Sequence, residues 1–331
     1  MPVNRSFERD LALLEAMSGQ VPDAAGVDRV RKALGNENNY LVAKAARIVT
    51  DYSLVGLLPE VLSAYQRFFD DPVKTDPQCW AKNALVKALV KLECRDARVF
   101  LRGLHHRQEE PVWGGHSDTA GTLRGTCAHA LVACDGLSEN ELLDILLQPL
   151  LDLDKSVRME AARAIGQVGG HSAALLLKLR VLLRKDDPEV LGACFSALLG
   201  MEKIDRSATI ALVADFLDDG EEAAAEAAFA LAETHESKAL AALIDRRRKG
   251  ADTWFGSVLD SAIALTRLPQ GMDFLLDVIS NDPRQASSAI EAISRVHQSE
   301  EVRARVRLAV ERSGSERVTA AFHQYFPRTE E

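Results

Sequence analysis

Apolar residues recur along this chain with a helical period, and the same arrangement returns at a fixed interval. In the segment 154–170, DKSVRMEAARAIGQVGG, Val157, Ala161, Ala162 and Ile165 stand at offsets of four, five and eight. Those offsets form one stripe of an α-helix. Thirty-three residues on, the same places are held by Val190, Cys194, Phe195 and Leu198, and after another thirty-three by Ala223, Ala227, Ala228 and Leu231. Asp154 and Asp187 stand just before their helices, where a short carboxylate can cap free N–H groups. Pro77, Pro188 and Pro283 each follow an Asp and suit a first helical turn.

Looser copies flank the central ones. They run over Asn39 to Asp51, Asp76 to Lys91 and Asp118 to Cys134 before them, and Ser257 to Leu268, Asp282 to Val296 and Ser315 to Phe326 after them. Each follows an amphipathic first helix, such as Leu142 to Leu151 or Ala173 to Leu183. A repeat of one helical hairpin cannot bury its apolar face alone, so copies must stack. The sequence therefore predicts an all-α fold, an α-solenoid of about nine stacked antiparallel helix pairs. It reads as a single body over 1–331. An N-terminal cap lies within 1–26 (a helix over Phe7 to Met17), helical repeats fill 27–297 and a C-terminal capping repeat fills 298–331.

Asp154, Val157, Arg158, Ala161, Ala162, Ala164, Ile165 and Gly166 follow the pattern D-x-x-V-R-x-x-A-A-x-A-L-G, with Ile165 in place of Leu. This resembles the HEAT repeat in its short bacterial form, also called the phycobilin-lyase HEAT-like repeat, over nearly the whole chain. The resemblance implies a curved superhelix whose second helices line the concave side. The Trp, Gly, Tyr and Pro pattern of tetratricopeptide repeats and the T-P-L-H of ankyrin repeats are absent.

Composition narrows the functional classes. Hydrophobic residues make up 47% of 331 residues and aromatic ones only 5%, so Ala and Leu fill the helix contacts. The net charge of −9 argues for solubility and against general affinity for nucleic acid. No apolar run approaches a membrane span, and the N-terminus lacks a signal-peptide pattern. The five cysteines (Cys79, Cys94, Cys127, Cys134 and Cys194) form no Cys-x-x-Cys pair, and Cys79, Cys127 and Cys194 read as small buried hydrophobes. Together these features point to the cytoplasm, and no cofactor is implied.

Two neighbouring irregularities mark the candidate contact region. The first is the long connection 105–117, HHRQEEPVWGGHS, read as an insertion loop. Trp113 either pins it onto the first helices or contacts a partner, and His116 sits beside it. The second is 71–87, DPVKTDPQCWAKNALVK, which leads into a helix bearing Trp80. Beside the apolar anchors, the concave row reads Lys44, Arg47 and Asp51, then Lys82, Asn83 and Lys87, then Thr122, Thr126 and His129, then Glu160, Arg163 and Gln167. Early rungs are thus basic or neutral-polar within an acidic protein, which suits an acidic peptide or a phosphate-bearing ligand; the alternative is an ordinary solvated helix face. His105, His106, His116 and His129 lie near acidic residues and Cys127, but metal-like spacing is missing, so no metal site is expected.

The leading expectation is a non-catalytic scaffold that binds a protein or peptide partner along the concave face. The alternative is a sensor of a small acidic or phosphate-bearing ligand near Trp80 and Trp113. Enzymes of the same repeat class fit less well. The two-iron hydroxylase of that class uses several His-Glu pairs, whereas this chain has one, His235-Glu236. The DNA-repair glycosylases use a basic concave face, which the acidic balance opposes, and a bilin-lyase activity rests on the shared repeat signature alone. No nucleophile, base and orienter triad is legible.

Overall fold

The computed structural model describes residues 5–17, 19–297 and 299–327, and it divides into two compact units, 1–164 and 165–331. The first unit opens with α1 (Arg5–Glu15) and continues as helix pairs. They are α2 (Ala24–Leu34) with α3 (Asn39–Tyr52), then α4 (Leu58–Arg67) with α6 (Trp80–Lys91), the short α5 (Pro72–Thr75) lying between them. Next come α7 (Ala97–Leu104) with α8 (Gly121–Leu131), and α9 (Glu139–Leu150) with α10 (Lys155–Val168), whose last turn belongs to the second unit. The second helices stack side by side: α3 packs on α6, and α6 on α8.

The second unit repeats the scheme with α11 (Gly170–Leu182) and α12 (Pro188–Gly200), α13 (Arg206–Ala214) and α14 (Glu221–Ala232), and α15 (Ser237–Arg248) and α16 (Thr253–Leu265). It ends with α17 (Pro269–Asn281) and α18 (Ala286–Val296), then α19 (Glu300–Ser313) and α20 (Glu316–Tyr325). Here α12, α14, α16, α18 and α20 form the row of second helices. Among the described residues this makes nine helix pairs, four and five to a unit, preceded by α1. The fold is an all-α solenoid of stacked antiparallel helix pairs.

The stripes read from sequence are the core. Val157, Ala161, Ala162 and Ile165 are wholly buried, as are Val190, Cys194, Phe195 and Leu198. Ala223 departs from this: it is half-buried, and Ala224 beside it takes the interior place. The Asp154 carboxylate caps α10 by accepting the Ser156 N–H at 2.8 Å, while Asp187 makes no side-chain cap bond at α12. Pro188 opens α12, and Pro77 opens a single 3-10 turn over Pro77–Cys79. Pro283 instead lies in a turn before α18 begins.

The clearest departure is 105–117, which is not an irregular loop. It carries a β-hairpin, β1 (Glu109–Val112) paired antiparallel with β2 (Gly115–Asp118), with Glu109 opposite Asp118 and Val112 opposite Gly115. Trp113 and Gly114 form the connecting turn, and Gly114 takes a φ of 89°, a value that favours glycine.

The Gly of the repeat signature has a packing cause. A Cβ on Gly166 would lie 2.7 Å from the Ala197 Cβ of α12, too close for two carbons. The expected outcome for Gly166→Val is a loss of about 1–3 kcal/mol in chemical denaturation. Gly200→Ala, whose added methyl meets nothing within 4 Å, should stay within about 0.5 kcal/mol of the parent or gain slightly.

Candidate functional site

The α3, α6 and α8 helices of the first unit line a pocket of about 330 Å³. From α3 it receives Tyr40, Ala43, Lys44, Arg47, Thr50 and Asp51; from α6, Trp80, Asn83, Ala84 and Lys87; from α8, Thr122. The α3 and α6 sets correspond forty residues apart: Tyr40 with Trp80, Ala43 with Asn83, Lys44 with Ala84, Arg47 with Lys87. Offsets of three, four and seven on each helix bring these side chains to one face.

Of the twelve contact residues expected from sequence, six line this pocket: Lys44, Arg47, Trp80, Asn83, Lys87 and Thr122. Lys82 does not. In the forty-residue correspondence it matches Val42, a core position, and it is itself fully buried. Its Nζ lies 3.1 Å from the Asp76 Oδ2 and donates to the Phe68 carbonyl at 3.1 Å. Placing Lys82 in the same row as Asn83 and Lys87 was a phase error of one residue.

Trp113 stands fully exposed at the hairpin tip, so it neither pins the hairpin down nor lines the pocket beside Trp80. His116 is exposed on β2 opposite Pro111, also outside the pocket. Thr126, His129 and Arg163 extend the polar surface past Thr122 without lining the pocket. The Thr126 hydroxyl donates to the Thr122 carbonyl at 2.9 Å. His129 Nδ1 lies 3.9 Å from Glu160, to which Arg163 is also paired.

The pocket is aromatic at one end and cationic along its length. The Tyr40 and Trp80 rings sit 5.7 Å apart, tilted by 52°, a separation at which aromatic pairs attract. Trp80 remains about half exposed, and its indole N–H donates to Gln78 at 3.1 Å. Lys44 lies 5.5 Å from the Tyr40 ring centre and 3.5 Å from Glu15. Arg47 and Lys87 are exposed, and among the described residues neither has an ion-pair partner. Asp51 is the one carboxylate in the lining. Asn83 buries its Oδ1 with no hydrogen-bond partner. A buried acceptor in that state costs about 1–3 kcal/mol until a donor arrives.

Tyr40, Thr50, Ala43 and Ala84 belong to the lining and were not singled out in the sequence. Tyr40 carried a signal: it occupies the place on α3 that Trp80 occupies on α6.

Sequence reading also missed the polar network beneath the pocket. Asp76 is wholly buried, and its Oδ1 accepts the Ala81 N–H at 2.8 Å and the Asn39 side chain at 3.0 Å. Its Oδ2 accepts the Lys82 N–H at 3.0 Å, so the carboxylate holds the first turn of α6. Glu110 of β1 accepts from the Gln78 N–H (2.6 Å), Gln108 Nε2 (2.7 Å) and the Thr119 hydroxyl (2.7 Å). Gln108 Nε2 also donates to the Asp76 carbonyl at 2.9 Å, joining hairpin to helix start.

Also at the base of the hairpin, Arg124 Nε and Nη2 meet the two Asp152 oxygens at 2.9 and 3.0 Å, and its Nη1 reaches Asp118 at 2.6 Å. Arg107 adds a second guanidinium at 3.0 Å from Asp152 and 3.3 Å from Asp118. Arg124 and Asp152 are both buried. A bidentate pair of this kind compensates its lost hydration only while both partners remain.

Burial raises the Asp152 carboxyl, but the hydrogen bonds from Arg124 and the Asp154 N–H, with the Arg124 and Arg107 charges, outweigh it and hold it below the usual range. Asp118 behaves alike, burial being outweighed by the Ala120 and Gln108 N–H bonds and by Arg124. Glu110 is likewise lowered, its three donors overcoming burial.

The cysteines are chemically quiet. Burial pushes Cys79 up to about 11 and Cys127 and Cys194 up to about 12, so each stays a thiol at neutral pH. The His235-Glu236 pair is spent on structure: the His235 ring lies 3.0 Å from the Thr266 carbonyl, and Glu236 accepts from Arg206 at 2.7 Å. Among the described residues no helix is long and apolar enough to cross a membrane.

No protein-family model matches the chain, and no curated protein matches it in sequence. Among solved structures it is similar to a karyopherin, Kap121p, bound to the SUMO protease Ulp1p. The identity is 13% with a TM-score of 0.40, over 96% of this chain and 45% of that one. The chain thus spans less than half the length of that karyopherin. It is also similar to human deoxyhypusine hydroxylase in complex with glycerol, at 15% identity and a TM-score of 0.30, over 81% of this chain and 91% of that one. Both TM-scores lie below 0.5, and the helical-repeat architecture rests on the chain's own helix pairing.

The expected outcome for Asp152→Asn is a loss of about 3 kcal/mol in chemical denaturation, because the buried Arg124 loses its bidentate partner and keeps Asp118 as its remaining counter-charge. Asp118, Asp152 and Glu110 have depressed folded pKa values. Their stabilisation is therefore complete above the ordinary carboxylate range and is lost as pH falls through that range toward the folded values. Melting temperature followed from neutral to acidic pH should drop for the parent, and drop less steeply for Asp152→Asn.

Proposed function

We propose that the protein is a non-catalytic scaffold that binds a protein or peptide partner, with the α3–α6–α8 pocket of the first unit as its contact site. The observation that carries this reading is the pairing of free cations with an orphaned acceptor. Arg47 and Lys87 are exposed and, among the described residues, have no ion-pair partner, while Asn83, between Trp80 and Lys87 on the same face of α6, buries an Oδ1 without a hydrogen-bond partner. An extended acidic peptide answers each need at once. Its carboxylates meet Arg47 and Lys87, a main-chain N–H reaches Asn83, and an apolar side chain lies against Trp80.

A compact anionic molecule is the second reading, favoured by the volume of about 330 Å³, at the small end of ligand pockets. It involves Trp80 and not Trp113, which does not line the pocket.

With Trp113 and Trp254 replaced by Phe, Trp80 is the one remaining tryptophan and provides the probe. Titration with acidic, neutral and basic peptides of matched length should shift Trp80 emission for the acidic peptide alone, with affinity falling as salt rises. Arg47→Glu with Lys87→Glu should weaken that binding by roughly tenfold or more, and Trp113→Ala should leave it unchanged. If basic and acidic peptides bind equally, the reading fails. If no peptide binds but inorganic phosphate or a dicarboxylate quenches Trp80, the small-ligand reading replaces it.

Asn83→Leu separates function from stability. Removing the orphaned acceptor should raise the melting temperature by a stabilisation of about 1 kcal/mol, while acidic-peptide binding weakens.

A further inference from the structure

The helix α11 is apolar on two opposite faces. After its first turn, residues 173–182 contain only two polar side chains, Lys178 and Arg180. Ala173, Ala174, Leu177 and Val181 are buried on the side that packs on α12. Leu175, Leu179, Leu182 and Leu183 occupy the other side, at offsets of four, seven and eight, and each is more than half exposed. A helix that is apolar all round is one that is buried all round. Within its own unit the described residues cover only half of this one.

The neighbouring first helices mark it as an exception. α13, α15 and α17 expose no large hydrophobic residue. Four adjacent leucines on one helix face reach the few hundred Å² at which an exposed apolar patch signals a contact surface.

Of the charges around the stripe, the acidic Asp186, Asp215 and Asp219 are paired with arginines. No Asp or Glu lies within α11. Arg180 is paired with Asp186, and Arg184 with Asp215 and Asp219. Among the described residues, Lys178 beside the stripe and Lys185 at its end have no ion-pair partner. A second copy would bring the same basic flanks against these, and like charges repel.

We infer that the outer face of α11 is a docking site for an amphipathic helix of another protein, one with an apolar stripe and acidic flanks. Leucines at 175, 179 and 182 present the i, i+4, i+7 row into which such a helix sets its own apolar residues. Lys178 and Lys185 set its polarity by attracting Glu or Asp at its edges. This surface lies in the second unit and is independent of the pocket on α3, α6 and α8.

The test uses the full chain and labelled amphipathic peptides with Leu at the a and d positions of a heptad and either Glu or Lys at e and g. In fluorescence anisotropy at low salt, the Glu peptide should bind about tenfold or more tightly than the Lys peptide. Leu179→Ser with Leu182→Ser should abolish binding while circular dichroism and melting temperature stay as in the parent, since both side chains are already exposed. Lys178→Glu with Lys185→Glu should reverse the preference between the two peptides. Equal binding of both peptides, or binding that survives the leucine double variant, overturns the proposal. Concentration-dependent dimerisation removed by the leucine variant would overturn it in favour of a second copy. Binding to anionic vesicles removed by that variant would overturn it in favour of a lipid surface.

Discussion

The Asp76 carboxylate is the constraint on which the first unit's irregular geometry depends. It is wholly buried, and it accepts two N–H groups of the α6 first turn, the Asn39 side chain from α3 and the Lys82 ammonium. By linking the starts of α3 and α6 it fixes their relative rotation, and that rotation decides which α6 side chains face Tyr40 and Arg47. Left-handed φ values at Gln78 and Cys79 (60° and 53°) are held between it and the start of α6. Such conformations cost about 1–3 kcal/mol each and persist only where surroundings over-determine them. The Glu110 bond to the Gln78 N–H is part of that surrounding.

The hairpin is thus less an insertion than a brace. Its base ties into Asp76 through Gln108, and into α8 and the loop before α10 through Asp118, Arg124 and Asp152. Every polar group named along this path has a partner, which is what a buried network requires if it is to rigidify and not weaken its surroundings. The pocket walls stand on this brace, so the site's shape depends on residues that never reach it.

The regular part of the architecture was legible because it repeats. The 33-residue interval and its Val157, Ala161, Ala162 and Ile165 stripe predict burial that holds almost residue by residue. Where the interval stretches to forty, between α3 and α6, phase had to be guessed. A shift of one residue then moved Lys82 into the row that belongs to Asn83. A lysine in a core phase looks like a surface residue in sequence, because its burial depends on Asp76 and the Phe68 carbonyl, neither of which the helical period announces. The hairpin escaped for a related reason: four-residue strands without apolar alternation leave a weak pattern, and their stability comes from Glu110 and Asp118 bonding to distant groups. The second apolar face of α11 escaped because Ala173 to Leu183 was read as an amphipathic first helix, and periodicity does not say which of two apolar faces is covered.

The two-stranded ribbon has a consequence for solution behaviour. A hairpin standing alone on a helical body leaves both outer edges without a neighbouring strand, and open edges invite pairing between molecules. Here each strand has only four residues. Pro111 removes one N–H from the first, and Glu109 is exposed near its base. Short, proline-interrupted and charged, these edges offer a poor template for further strands. The chain can therefore carry this ribbon, with a bare indole at its tip, without making it a seed for aggregation.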